Sequence, residues 1–474
     1  MRARNHTKIT TATAAVLALA FAVVGAGSTT SGAGPDPSGA HAGRGLPGDD
    51  VRLNEIQVVG SHNSYKVLPS QAEQDMIRSF IGAGADRMQY QHAPLPTQFA
   101  SQKVRQIELD VWVDAAGGRF RQPLLRTALD LGPYEPEIMD QPGTKTFHIQ
   151  DVDYGSTCPS FRLCLQQVKG WSDANPGHVP IAILVELKDS PLVVGDLDFT
   201  EPEPWTPAAM NGLDDEIRSV FPENQMITPD DIRGGHSTLR DAVVSDGWPT
   251  LGESRGQVMF MMDNGGGYRT DYLSGHPSLE GRVLFTNADP GDDDAAFIKR
   301  NDPFDPSIPD LVTQGFVVRT RSDSDTLEAR ANDTGPRDAA LASGAQWVST
   351  DYPVRGMAVG FETDFVVEIP GGTVARCNPV NGPATCRDRD LENLGRPTQP
   401  PSSSMVPSTS TPGSTTRPGS TSTSIPASTV PGSTTTPSST TAPGGTTSTT
   451  SPMTRPVPTP PAAEPRRAEP RYTG

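Results

Sequence analysis

The chain has 474 residues, with 39 Lys and Arg against 56 Asp and Glu and a formal charge of −17 at pH 7. Such an acidic balance argues against a binder of nucleic-acid phosphates and suits electrostatic adhesion to anionic membranes poorly, while it is compatible with calcium binding. The four cysteines fall into two local pairs, Cys158 with Cys164 and Cys377 with Cys386. In an exported chain neighbouring pairs give the simplest disulfide connectivity. A zinc site is disfavoured, because the spacings are wrong and no histidine flanks either pair.

Arg2, Arg4 and Lys8 precede an apolar run over residues 12–26 that is followed by small residues. This predicts a secretory signal, cut after Ala26 or near residues 40–42, within an N-terminal region of about 1–42. The run is short and alanine-rich for a membrane span of about 20 residues. Residues 55–60 then form a run of strand formers ending on Gly60, and Ser61-His62-Asn63-Ser64-Tyr65 follows at once. A helix is expected over 71–82, and a second strand over 104–112 carries Glu108 and Asp110. Residues 124–143 are irregular and predict a loop over a barrel mouth. A third strand is expected at 146–150, within Phe147-His148-Ile149-Gln150-Asp151, and a helix over 161–171 stops at Asn175-Pro176-Gly177.

The fourth strand, 181–187, is an almost continuous apolar run, as for a strand buried on both faces, and ends in Glu186-Leu187-Lys188. A helix is expected around Met210, Leu213, Ile217 and Val220. Strand five, 257–262, ends at Asp263-Asn264; strand six is 283–285, strand seven 315–319 and strand eight 345–349. Helical patterns are expected at 295–300 and 337–343. From about residue 393 the chain is Pro, Ser, Thr and Gly almost without interruption, too poor in apolar residues to offset chain entropy, so a disordered tail is predicted. The tail suits an O-glycosylated stalk, a spacer through a cell wall, or a solubilising extension. Eight strands alternating with crossovers predict an α/β domain over 45–392, a single (β/α)8 TIM-like barrel with its site at the carboxyl ends of the strands.

The chemistry follows from what stands at those ends. Glu108 and Asp110 are two apart on a strand and face the same way. At a separation of about 4 Å they would repel by about 4 kcal/mol at an effective dielectric of 20, a cost a cation removes. Asn63 adds an amide oxygen and Glu186 a third carboxylate, an all-oxygen set that favours calcium or magnesium over zinc. The competing expectation is ion pairing of Glu108 and Asp110 with Arg105 or Arg319. His62 and His148 suit a general base and a general acid in phosphoryl transfer, each contributing about 10²–10⁴-fold. His92, His178, His236 and His276 fit structural roles better. Lys188 and Arg319 offer cations for a phosphate, and Asp263 and Asp351 offer acceptors for polyol hydroxyls; each equally suits a rim ion pair. No G-x-S-x-G elbow is present and Ser61 abuts His62, which argues against a serine hydrolase.

The segments around Gly60-Ser61-His62-Asn63, Glu108-Leu109-Asp110-Val111-Trp112 and Phe147-His148-Ile149-Gln150-Asp151 resemble the bacterial calcium-dependent phosphatidylinositol-specific phospholipase C family. Glu186-Leu187-Lys188-Asp189, Val317-Val318-Arg319-Thr320-Arg321 and Ser349-Thr350-Asp351-Tyr352-Pro353 continue the resemblance, which spans about residues 50–357. It implies a secreted, monomeric barrel enzyme that cleaves phosphatidylinositol at a membrane interface to diacylglycerol and an inositol cyclic phosphate. It also implies that His62 assists proton removal from the inositol 2-hydroxyl while His148 protonates the leaving glycerol oxygen. Asn63, Glu108, Asp110 and Glu186 would hold one calcium ion. A longer stretch separates the acidic pair from the second histidine than in eukaryotic relatives, as in the bacterial branch. The rival readings are a glycerophosphodiester or sphingomyelinase-D-like phosphodiesterase, against which Asn63 speaks, and a wall-associated binding protein without turnover.

Overall fold

The structure is a computed structural model that describes residues 47–392 and 394. The expected signal segment and the Pro/Ser/Thr-rich tail lie outside the described residues. Eleven strands join one curled sheet. In chain order they are β1 Ile56–Ser61, β2 Gln106–Trp112, β3 Lys145–Thr146, β4 Ile181–Lys188, β5 Met226–Ile227, β6 Val258–Met262, β7 Leu284–Phe285, β8 Phe297–Lys299, β9 Val317–Arg321, β10 Trp347–Thr350 and β11 Ala375–Cys377.

β1, β2, β4, β6 and β7 pair in parallel in that order, and β8, β9 and β10 pair in parallel back to β1. The seam between β7 and β8 is drawn shut by one parallel bridge, Asn287 to Phe297. Asn287 also stitches it with its side chain, donating to the Asp263 carbonyl and accepting from the Lys299 amide. The expected barrel of eight parallel strands is therefore present.

One of its expected members is exchanged for a segment expected to be helical. Residues 146–150 are not a barrel strand: β3 is a two-residue antiparallel strip on the end of β2, pairing Thr146 with Val111 and Lys145 with Trp112. The chain then turns back through an Ile149–Asp153 bridge, and Phe147 stacks on Trp112 with ring centroids 5.2 Å apart. Its apolar character thus serves packing over the mouth. Conversely, residues 295–300 are not helical, since Phe297–Lys299 is a barrel strand with Phe297 and Ile298 fully buried. A short apolar run carries no period that distinguishes the two states.

The alternation along β2 is what positions the site. Ile107, Leu109 and Val111 join the main apolar core, so Glu108 and Asp110 on the other face turn inward. All seven residues of β2 are buried, as are the first seven of β4. Helix Phe161–Ala174 packs outside them; Ser160 caps it by accepting from the Leu163 amide, and it ends at Asn175 before Pro176. The Cys158–Cys164 disulfide pins its start, and Cys377–Cys386 ties β11 beneath β1, both as expected. At that lower end Arg105 pairs with Glu392 and no part of its side chain is exposed. No helix among the described residues is long and apolar enough to cross a membrane.

Candidate active site at the barrel mouth

β1 delivers His62 and Asn63 into a tightly tied loop. The Ser64 amide donates to the Glu108 carbonyl (2.9 Å), the Glu108 amide donates to Ser64 Oγ (2.8 Å), and Gln98 donates to the Ser64 carbonyl (2.6 Å). Asn63 takes a left-handed φ of 44°, which asparagine tolerates better than most residues. The loop is thus fixed against β2 before any ligand arrives.

His62 Nδ1 lies 2.9 Å from Asp351 Oδ1 at the end of β10, which fixes the ring and its tautomer. The Arg321 guanidinium and Tyr90 hydroxyl flank that contact. Nε2 is left without a hydrogen-bond partner among the described residues, 3.7 Å from Glu108 Oε1. Burial, then the Arg321 charge, hold the imidazole well below its ordinary pKa, with Glu108 opposing them. The ring is accordingly neutral, with one nitrogen free to accept a proton. Burial raises Asp351 to about 6 against the pull of Arg321. His92 donates from Nε2 to the His62 carbonyl (2.8 Å), the structural role expected of it.

His148 is placed by the loop above β3 rather than by a barrel strand. Its Nδ1 lies 2.8 Å from Asp153 Oδ2, and Lys66 Nζ lies 2.8 Å from the other oxygen of the same carboxylate. Burial opposes ionisation of Asp153, but Lys66 and His148 overcome it and lower its pKa. Burial lowers His148, and Asp153 restores part of the loss.

Glu108, Asp110 and Glu186 converge so that one oxygen from each lies within 4.8 Å of the others, all buried. The β2–β4 register sets Asp110 beside Glu186, with Glu108 two residues below. Both oxygens of Asp110 and Oε1 of Glu108 lack a hydrogen-bond partner among the described residues. Burial raises Asp110 well above its ordinary pKa; Lys188 opposes this, and Glu186 and Glu108 add to it. Burial likewise raises Glu186 to about 7, opposed by Lys188 and assisted by Asp263. Crowded buried carboxylates with orphaned oxygens suit a hard divalent cation, because its charge and open coordination sites answer both problems at once. The donor set therefore fits calcium.

The remaining expected residues divide. Asn63 is held between two tyrosines, with its amide oxygen accepting from the Tyr65 hydroxyl (3.1 Å) and its nitrogen donating to the Tyr90 hydroxyl (2.9 Å). Lys188 Nζ stands 3.1 Å from Glu186 and 3.5 Å from Asp110. Asp263, at the end of β6, pairs with Lys299 at 2.5 Å, so a rim ion pair is present there. Arg319 is almost wholly buried against Glu108 at 2.5 Å, with Ser349 and Asn301 as further partners. The pairing weighed for Arg319 is thus realised, whereas Arg105 lies at the opposite end of the barrel. Asp153, Lys66, Tyr90 and Arg321 were not singled out from the sequence. Arg321 was within reach, two residues beyond Arg319 and so on the same strand face. Asp153 was not, because only the turn at 149–153 brings it to His148.

A parallel barrel whose mouth pairs two acid-buttressed imidazoles with a carboxylate nest is the architecture of a metal-assisted phosphodiesterase. Residues 51–379 match the family model described as "Phosphoinositide phospholipase C, Ca2+-dependent". The chain belongs to that family. Among solved structures, the calcium-dependent phosphoinositol-specific phospholipase C of Pseudomonas sp. in its apo form is 16% identical, over 64% of this chain and 92% of that one, with a TM-score of 0.40. The calcium-dependent phosphatidylinositol-specific phospholipase C of Streptomyces antibioticus is 18% identical, over 66% and 98%, with a TM-score of 0.40. The phosphatidylinositol-specific phospholipase C of Listeria monocytogenes is 10% identical, over 66% and 94%, with a TM-score of 0.35. No curated protein matches the chain.

Proposed function

We propose that this chain is an exported phospholipase C that binds one calcium ion and cleaves phosphatidylinositol at a lipid surface. The observation that carries the reading is the free Nε2 of His62 standing 3.7 Å from the orphaned Oε1 of Glu108, in a nest where both oxygens of Asp110 also lack a hydrogen-bond partner among the described residues. Glu108, Asp110 and Glu186 would hold the ion, and Asn63, whose amide oxygen has a second lone pair beside the one Tyr65 uses, would join them. Bound there, calcium supplies charge that favours the anionic phosphate and lowers the pKa of the attacking hydroxyl. His62 accepts the proton of the inositol 2-hydroxyl at Nε2, with Asp351 stabilising the imidazolium that results. As the 2-oxygen bonds to phosphorus and the phosphorus–glycerol oxygen bond breaks, His148 gives a proton to the departing oxygen. The products are diacylglycerol and inositol 1,2-cyclic phosphate. Burial keeps His148 uncharged at rest, so it takes up its proton when the anionic phosphate enters.

Support for a lipid surface comes from the rim. Phe80, Leu131, Val193, Phe304, Leu327 and Val359 are exposed, and each lies on a segment that leaves the carboxyl end of a barrel strand. With a net charge of −17, apolar contact rather than electrostatic attraction supplies adhesion. Export is supported by the signal-like residues 1–42 and by two disulfides. We assign the barrel to 45–392 and the tail to 393–474, with wall spacing as the tail's candidate role and a monomer as the working unit. The test is phosphorus NMR of the products from phosphatidylinositol vesicles. Inositol 1,2-cyclic phosphate is expected. Glycerophosphate with free inositol from glycerophosphoinositol, and no cyclic phosphate from phosphatidylinositol, would replace this reading with that of a glycerophosphodiesterase.

A further inference from the structure

Among the described residues two cations pair with the nest of Glu108, Asp110 and Glu186, and they are held differently. Arg319 is fixed from several sides by Glu108, Ser349 and Asn301, with 1% of its side chain exposed. Lys188 follows Glu186 by two residues on β4, so the two side chains share a face. The register places Asp110 beside Glu186 and Trp112 beside Lys188, one step nearer the mouth. From there the lysine reaches back, with Nζ 3.1 Å from Glu186 Oε1 and 3.5 Å from Asp110 Oδ2. It is also the more accessible partner, 20% exposed against 7% for Glu186 and none for Asp110.

We propose that Lys188 is the built-in counter-cation of the carboxylate nest, occupying Asp110 and Glu186 without calcium and yielding them when the ion enters. The inference rests on the calcium reading above and deepens it, because the lysine then sets the calcium threshold of the site. An ammonium and a divalent ion would both need these oxygens, and two cations sharing them at about 4 Å would repel strongly. Something has to move. Arg319 is locked, whereas Lys188 is a flexible four-carbon stem with rotatable donors and an open side toward solvent. Once released it stands at the mouth, where the phosphate of a lipid headgroup is its next acceptor. A site so arranged takes calcium weakly alone and more strongly once an anion can receive the lysine.

Calcium alone is titrated calorimetrically into the full chain without lipid. Heat in the wild type reports whether the site takes calcium at all, which is the reading beneath the inference. The inference itself is read from Lys188→Met, which should bind calcium at least about tenfold more tightly than wild type. Lys188→Arg keeps the charge and should bind no more tightly. Equal or weaker binding by Lys188→Met overturns the proposal while leaving the calcium site intact. Should that variant fail to fold, the wild-type chain carries the same test through reductive methylation of its lysines and peptide mass spectrometry. Labelling of Lys188 should rise between chelator and saturating calcium. Unchanged or reduced labelling overturns the proposal.

Discussion

The two ends of the barrel treat buried charge in opposite ways. At the lower end Arg105 pairs with Glu392 and donates to the carbonyls of Phe99 and Val104, and the second oxygen of Glu392 also accepts the Val179 amide. His178 is equally settled, donating from Nδ1 to the Val179 carbonyl with Ser172 Oγ 2.7 Å from Nε2. At the mouth Asp110 has no hydrogen-bond partner at either oxygen among the described residues, only Lys188 at 3.5 Å, and His62 likewise keeps one nitrogen idle. The same strands run through both regions, so the difference is one of purpose. Charge at the bottom closes the fold; charge at the mouth, though paired with Lys188 and Arg319, keeps oxygens and a ring nitrogen in reserve for a ligand.

The contrast breaks most visibly at His62. His62→Ala should lower kcat by about 10²–10⁴-fold while leaving the melting temperature nearly unchanged, measured by turnover and by calorimetry. An equal loss of stability would make the imidazole structural. The mirror experiment is Glu392→Gln, which leaves the Arg105 charge unpaired in the interior. It should cost about 3–5 kcal/mol in denaturant unfolding with kcat preserved below the transition.

His178 sharpens the comparison through pH. Burial lowers it to about 4, against about 6.5 in the unfolded chain. The native state binds fewer protons in that window, so the stability held above pH 6.5 is lost as pH falls toward 4. The loss is up to about 3 kcal/mol. Unfolding free energies at pH 7 and pH 4.5 should differ less in His178→Gln than in wild type. The smallest effect belongs to Asp110→Asn. Relief of repulsion in the nest should stabilise the calcium-free chain by about 0.5–2 kcal/mol and abolish the rise in melting temperature on adding calcium.

Much of this was legible in the sequence, for physical reasons. β1, β2, β4, β6, β9 and β10 are long enough, and apolar enough on the outer face, for their period to show. The two-residue spacing of Glu108 and Asp110 gave their shared face directly. Short runs were less sure: 283–285 holds β7 as expected, but two others misled. Phe147 is apolar because it stacks on Trp112, not because it lies in a barrel strand, while Phe297 and Ile298 form a strand within a helix-like stretch. The errors exchange one member for another and leave the count at eight. In the site, Glu186 declared itself at a strand end. Asp153 and Lys66 did not, because the turn at 149–153 and the loop after β1 bring them together across a gap in sequence.

The most direct test of the account is turnover on phosphatidylinositol vesicles as calcium is titrated, beside chelator and magnesium controls, in wild type and Glu186→Gln. Turnover should depend saturably on calcium in the wild type, show no dependence of comparable size on magnesium, and need far more calcium in the variant. Full activity in chelator, or identical calcium curves for the two proteins, would contradict the account.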